Sequence, residues 1–190
     1  VPKVFEIAKC FRNKEGGQHH RIEFHMLEWY RAFSDLSLIA DDVERLIQVF
    51  SPEAKLARVS VRELFLRYAD FDLAAGTTRE ELEAHCARVG IHTHRTDDFN
   101  DLFHRVWLEH IEGPLETHAQ GNPVLVEEYP PALSALARIG QSGFAERFEV
   151  YWRGLELCNA FHELNDPREN RKRFERDLAE KRHLGKDPVP

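Results

Sequence analysis

Apolar and polar residues alternate along residues 4–11 and again along 23–31, with Gly16 and Gly17 between the two runs. A period of two marks an extended strand that turns one face inward. The runs therefore predict a hairpin with a long polar loop. Counting by twos places Phe24, Met26, Glu28 and Tyr30 on one face of the second strand, and Glu6, Ala8, Cys10 and Arg12 on one face of the first. The period then lengthens. Leu36, Ile39, Ala40, Val43, Leu46, Ile47 and Phe50 recur as on one side of a helix over residues 35–50. Ser60 followed by Glu63 is a capping-box pattern, opening a short helix that turns Val61, Leu64, Phe65 and Tyr68 inward. Residues 77–89 predict a third helix closed by Gly90. Residues 97–111 predict a fourth, burying Phe99, Leu102, Phe103, Val106 and Trp107.

Past that point the pattern reverts. Residues 113–123 read as a turn-rich connection, and 124–126 as a buried strand that ends at Tyr129, Pro130 and Pro131. Residues 145–163 alternate as strands, with Gly154 at a tight reversal. Residues 167–182 form a charged helix with Phe174 and Leu178 as a thin apolar contact. There is no internal repeat and no low-complexity tract. Strands, then helices, then strands predict an α+β domain: a largely antiparallel β-sheet flanked by helices.

Composition narrows the class. A chain of 190 residues is long enough for one domain with a substantial core. No apolar run approaches the roughly 20 residues that span a bilayer, and no signal peptide is visible, so no membrane partner is expected. The net charge of −7, without a dominant basic run, argues against extensive nucleic-acid contact by this segment. Cys10, Cys86 and Cys158 are few and far apart, which predicts free thiols in a reducing compartment, the cytoplasm. Val1 in place of a methionine, and the ending Asp187, Pro188, Val189, Pro190, predict a piece of a longer polypeptide.

Two stretches carry unusual chemistry. The first, FRNKEGGQHHRIEFHMLEWY (residues 11–30), sets many charges beside large apolar side chains. The second is RFEVYWRGLELCNAFHELNDPREN (residues 147–170). A reversal at Gly154 would lay Glu156 alongside Glu149. Two such carboxylates repel and call for a cation, and Mg²⁺ shared with phosphate oxygens suits them. The plain alternative is that both face solvent. Asn159, Phe161 and Glu163 fall two apart and would share a face able to hold an ammonium group. Strict alternation turns Glu156 to the other face, and a bulge near Leu157 and Cys158 would reconcile the two. His85, Cys86, His92 and His94 cluster in HCARVGIHTH, but their spacing matches no common structural zinc pattern.

Together the two stretches closely resemble the catalytic domain of class II aminoacyl-tRNA synthetases, in the lysine branch. Phe11, Arg12, Asn13, Glu23, Phe24 and Leu27 to Tyr30 look like that class's second signature motif. The wording of LEWYR, RFEVY and FHEL is most similar to the elongation factor P lysine ligases, truncated paralogues of lysyl-tRNA synthetases. The resemblance covers nearly all of residues 1–190 as a partial class II catalytic core. It divides them into a second-motif hairpin (3–31), a helical insert (35–111), metal and lysine-site strands (124–163) and a charged helix (167–182). The first motif, which builds the dimer interface, and the third, with its ATP-clamping arginine, do not occur in it.

The resemblance implies roles. Arg12 would hold the α-phosphate of ATP and stabilise charge in adenylate formation, as a fixed guanidinium can. His20 would meet the β- or γ-phosphate, and Phe24 would stack on adenine. Where the family usually has a glutamate, this chain has Lys14, so Glu15 is the candidate to replace it at ATP. Arg21 and Ile22 stand for the usual Asn-Pro, and Ala160 for a glycine beside the lysine pocket. Glu28 and Tyr30 would meet the amino acid. Glu149 and Glu156 would hold Mg²⁺ on the phosphates. Asn159 and Phe161 would line the lysine pocket, and Glu163 would pair with the ε-ammonium. The implied activity is ATP-dependent activation of lysine or β-lysine as an adenylate, with transfer to a lysine of elongation factor P, in a protein that is a homodimer at full length. The alternatives are charging of tRNA-Lys, or a catalytically idle paralogue that binds a partner.

Overall fold

The computed structural model describes residues 2–12 and 21–183. Among these residues the order of elements is two strands, five α-helices interrupted by one short strand, three strands and a final α-helix. Strands β1 (Lys3–Phe11) and β2 (Glu23–Arg31) pair antiparallel as a separate two-stranded ribbon, with Glu6 opposite Glu28 and Cys10 opposite Phe24. The ribbon is tied to α1 (Leu36–Phe50) at its base. There Arg31 grips Asp42 with both Nε and Nη2, and Trp29 packs into the cluster under α1. Along β2 the half-buried positions switch from Phe24 and Met26 to Trp29 and Arg31, as the twist of an isolated ribbon requires.

The main sheet has the order β3 (Ala57–Ser60), β4 (Val124–Tyr129), β5 (Ala145–Trp152), β6 (Leu155–Phe161). β3 runs parallel to β4 and the other pairs are antiparallel, so the predicted α+β class holds with one parallel pair added. β3 has no signal in the sequence. It is short, and its pairing with β4 comes from 67 residues away, Ala57 opposite Val124. β4 is buried on both faces. Val124 and Val126 point to the helical insert, and Leu125 points with Phe148 and Val150 to α1. That explains its near-continuous apolar run. Arg153 and Gly154 both take positive φ, 54° and 74°, which makes the two-residue turn that matches strand twist.

The insert packs α2 (Val61–Ala69), α3 (Arg79–Val89), α4 (Phe99–Val106) and α5 (Glu112–His118) over one face of the sheet, around Phe65 stacked on Phe103. Ser60, Thr78 and Asp98 cap α2, α3 and α4, the last two with reciprocal capping boxes. Two expectations are corrected here. The helix expected over 97–111 passes into a π-helical turn at Trp107–Ile111, and the predicted turn-rich connection is helical through His118. Pro114 has no N–H to give to a carbonyl four residues back, and a wider π turn just before it accommodates that loss. The second concerns α6 (Pro167–His183): Phe174 is 55% exposed, so it is no anchor. Arg173 does that work, donating to the Ala135 and Ala137 carbonyls at 2.9 Å.

Of the histidine cluster, His85 and Cys86 are structural, while His92 and His94 are exposed. His85 is buried against Phe71, ring centroids 4.6 Å apart, and Cys86 lies in the core. Arg88 Nη2 sits 3.0 Å from His85 Nδ1, and arginine only donates, so Nδ1 accepts and the ring is neutral. The His85 pKa is lowered by burial first and by Arg88 and His110 next, against Asp70. That of His118, whose Nδ1 meets Tyr68 Oη at 2.9 Å, is lowered by burial and then by Arg67. Because both fall, the unfolded chain binds these protons first as pH drops below about 6.5. Stability from these groups is present above that pH and is lost below it. A His85→Gln, His118→Gln double variant should show a shallower fall in melting temperature than wild type between about pH 7 and pH 5. Parallel profiles for the two proteins would show that the histidines do not set the acid limb.

Candidate active site

Two irregularities in the strands build the site. β5 presents Arg147, Glu149 and Tyr151 on one face, as a period of two requires. On β6 the register slips between Val150 and Tyr151: Cys158 pairs with Val150, yet Glu156 pairs with Tyr151. Leu157 is the extra residue of a bulge, at the place where the sequence needed one. It turns Glu156 onto the face shared by Asn159 and Phe161, which lie opposite Glu149 and Arg147. The directly opposed pair is thus Glu149 and Asn159, and Glu156 sits one step along, diagonal to Glu149. On the other side of β5, β4 carries a second bulge at Glu128, whose φ is +61°. It turns Tyr129 to the same face as Glu149. Two bulges flanking one regular strand gather these side chains.

Glu149 is 7% exposed and its carboxylate is fully engaged. Tyr129 Oη donates to Oε2 at 2.6 Å, Tyr151 Oη donates to the same oxygen, and Arg147 Nη2 donates to Oε1. Burial first, and the Glu149 charge second, hold both tyrosine hydroxyls well above the ordinary phenol range, so they remain donors. The Arg147 guanidinium also donates to the Leu133 carbonyl at 2.6 Å and lies 4.7 Å from the Tyr129 ring centroid. Glu156 touches water but is crowded by protein, and its carboxyl is raised, by desolvation first and by the Glu149 charge second. Arg147 and Arg12 pull it back down.

One cleft of ≈ 2650 Å³ joins the ribbon and the sheet. Arg12, Phe24, Glu28 and Tyr30 of the ribbon and Glu149, Glu156, Asn159, Phe161 and Glu163 of the sheet all line it. The Arg12 guanidinium lies 5.3 Å from the Phe24 ring centroid. Glu28, Asn159 and Glu163 are exposed within the cleft, and Tyr30 is 53% exposed. Lys14, Glu15 and His20 lie outside the described residues. Arg147, Tyr129 and Tyr151 were not singled out as site residues by sequence reasoning. The spacing of Arg147, Glu149 and Tyr151 by twos could have found two of them. Nothing local announces Tyr129, because the bulge before it reverses its face.

The carboxylates of Glu149 and Glu156 suit a hard cation in kind and would supply only part of its shell. Two carboxylates with phosphate oxygens are the set Mg²⁺ takes. Among the described residues no group of three or more acidic, histidine or cysteine side chains is placed to hold a metal ion. No helix among them is long and apolar enough to cross a membrane. Cys10, Cys86 and Cys158 are free thiols, and burial pushes Cys158 up to about 12.

Residues 1–187 match the family of class II tRNA synthetases (D, K and N), a class with which the α+β fold is consistent, and the chain belongs to that family. Within it, the chain is 34% identical over 191 residues to the elongation factor P–(R)-β-lysine ligase of Vibrio vulnificus strain YJ016, and 35% identical over 192 residues to that of Yersinia enterocolitica. Each match covers 98% of this chain and 58% of the relative. A homologue of that ligase from Aquifex aeolicus is 36% identical over 187 residues, covering 97% of this chain and 60% of the relative. The chain therefore spans somewhat under two thirds of the length of these relatives.

Proposed function

We propose that the complete protein is an ATP-dependent ligase that activates lysine or (R)-β-lysine as an adenylate and passes the acyl group to a lysine of elongation factor P. The observation that supports this reading is the shared cleft, which a ribbon arginine and the acids gathered on the sheet line together. In the first step a carboxylate oxygen of the amino acid attacks the α-phosphorus of ATP. The bond to the bridging oxygen breaks and pyrophosphate leaves. In the second, the acceptor amine attacks the acyl carbon, AMP leaves, an amide forms and the amine loses a proton.

The protein's part is positioning and charge neutralisation. Arg12 would fork across phosphate and carboxylate oxygens, with His20 and Glu15 completing the nucleotide contacts and Phe24 stacking on adenine. Glu28 would meet the amino acid's amine, beside Tyr30. Asn159 and Phe161 would flank its side chain, and Glu163 would pair with the ε-ammonium. Glu149 and Glu156 would hold Mg²⁺, which neutralises phosphate charge when bound. The reading also takes the complete protein as a cytoplasmic homodimer, which sedimentation of the full-length product would check.

The test is ATP–pyrophosphate exchange on the full-length protein with lysine and with (R)-β-lysine. Exchange with either, followed by labelling of elongation factor P and not of tRNA-Lys, is the expected result. Exchange followed by labelling of tRNA-Lys would move the protein to the synthetases. No exchange with either amino acid would leave an idle paralogue, for which Lys14 in place of the usual glutamate is the sequence feature in favour.

A further inference from the structure

Arg147 occupies a carboxylate oxygen that a metal ion would need. Its Nη2 donates to Glu149 Oε1 while its Nη1 is anchored on the Leu133 carbonyl and its plane lies against Tyr129. The other Glu149 oxygen is shared by two tyrosine hydroxyls. Arg147 Nε is buried and has no partner among the described residues, so this arrangement leaves one of its own donors unsatisfied there. The anchors on Leu133 and Tyr129 do not depend on Glu149, and a guanidinium that released Oε1 would keep both.

We propose that Arg147 is a tethered counter-cation of the Glu149 and Glu156 pair, neutralising Glu149 until a divalent cation and the nucleotide arrive, and that cation binding requires Arg147 to give up Oε1. This rests on the reading of those carboxylates as the metal-holding pair. Arg147 is then a positioning residue that sets how tightly the empty site takes a cation. A like charge at contact distance opposes metal binding, and its removal should favour it. Tyr129 and Tyr151 keep the carboxylate in place through the exchange.

The test is binding of Mn²⁺ alone, read by electron paramagnetic resonance, to the nucleotide-free full-length protein. Arg147→Gln should tighten binding by about tenfold. Arg147→Lys, which keeps the charge, should leave it within about twofold of wild type. An unchanged or weaker affinity in Arg147→Gln, or equal tightening in Arg147→Lys, overturns the proposal. Should the Gln variant fail to fold, the wild-type protein still decides the matter. The ¹⁵Nε–¹H resonance of Arg147 should move when Mg²⁺ and ATP are added together, and a resonance that stays put overturns the exchange. A wild-type protein whose Mn²⁺ binding is lost in Glu156→Gln, with Arg147→Gln unchanged, sinks only this inference. A wild-type protein that binds no Mn²⁺ with or without ATP sinks the metal reading and this proposal with it.

Discussion

Glu149→Ala is expected to destabilise the fold by about 3–5 kcal/mol, the range for breaking a buried ion pair from one side. The cause is what remains behind. Arg147, with a side chain 13% exposed, loses the carboxylate it touches and keeps only the more distant Glu156 charge. The hydroxyls of Tyr129 and Tyr151 lose their common acceptor, and Tyr129 is only 3% exposed. Each unsatisfied buried donor adds a penalty of about 1–3 kcal/mol, partly relieved as the groups relax toward the cleft. Glu149→Gln should cost less, since its amide oxygen still accepts from one donor, although its NH₂ opposes the others. Urea denaturation midpoints for the three proteins would measure this. A loss below about 1 kcal/mol for the Ala variant would mean that the network rearranges at little cost. The result bears on function, because a carboxylate held this firmly by three donors is preorganised on a rigid strand.

Much of this fold can be read locally, and the exceptions share a cause. The ribbon, α1 and the capped helices α2, α3 and α4 each carry their own signal: alternation, a 3.6-residue stripe, or a Ser, Thr or Asp with its acid three residues on. β3 lacks one because four residues cannot display a period and its partner is distant in the chain. The helix around Gly113 and Pro114 hides behind residues that usually mark turns, and packing of Leu115 and Ile111 into the core overrides them. The site divides the same way. Arg12, Glu149, Asn159 and Phe161 follow from motif wording and strand period. The geometry of Glu156 and Tyr129 depends on bulges: the one at Leu157 is implied by the clash between strict alternation and a shared face, whereas the one at Glu128 has no such mark in the side-chain pattern. The saturation of Glu149 could not be read at all, since it needs three partners from two strands to converge.

Arg12→Ala in the complete protein is expected to lower ATP–pyrophosphate exchange by about 10²–10³, the loss seen when one preorganised donor to a developing charge is removed. Arg12 comes from the end of β1, where its N–H closes the ribbon on the Ile22 carbonyl at 2.9 Å, so its backbone is fixed. Its guanidinium lies against Phe24 and acts electrostatically on Glu156 across the cleft. In the proposed reaction a group so placed would meet charge that grows as the carboxylate closes on the α-phosphorus. Interactions stronger in the transition state than in the bound substrate act on kcat, so kcat should fall more than KM for ATP rises. Arg12→Lys keeps the charge but not the planar fork, and should recover only part of the loss. A rise in KM for ATP with kcat unchanged would make Arg12 a ground-state binding group. Exchange near the wild-type rate would remove it from the reacting phosphate altogether, and the shared cleft would then have to be explained by another ligand.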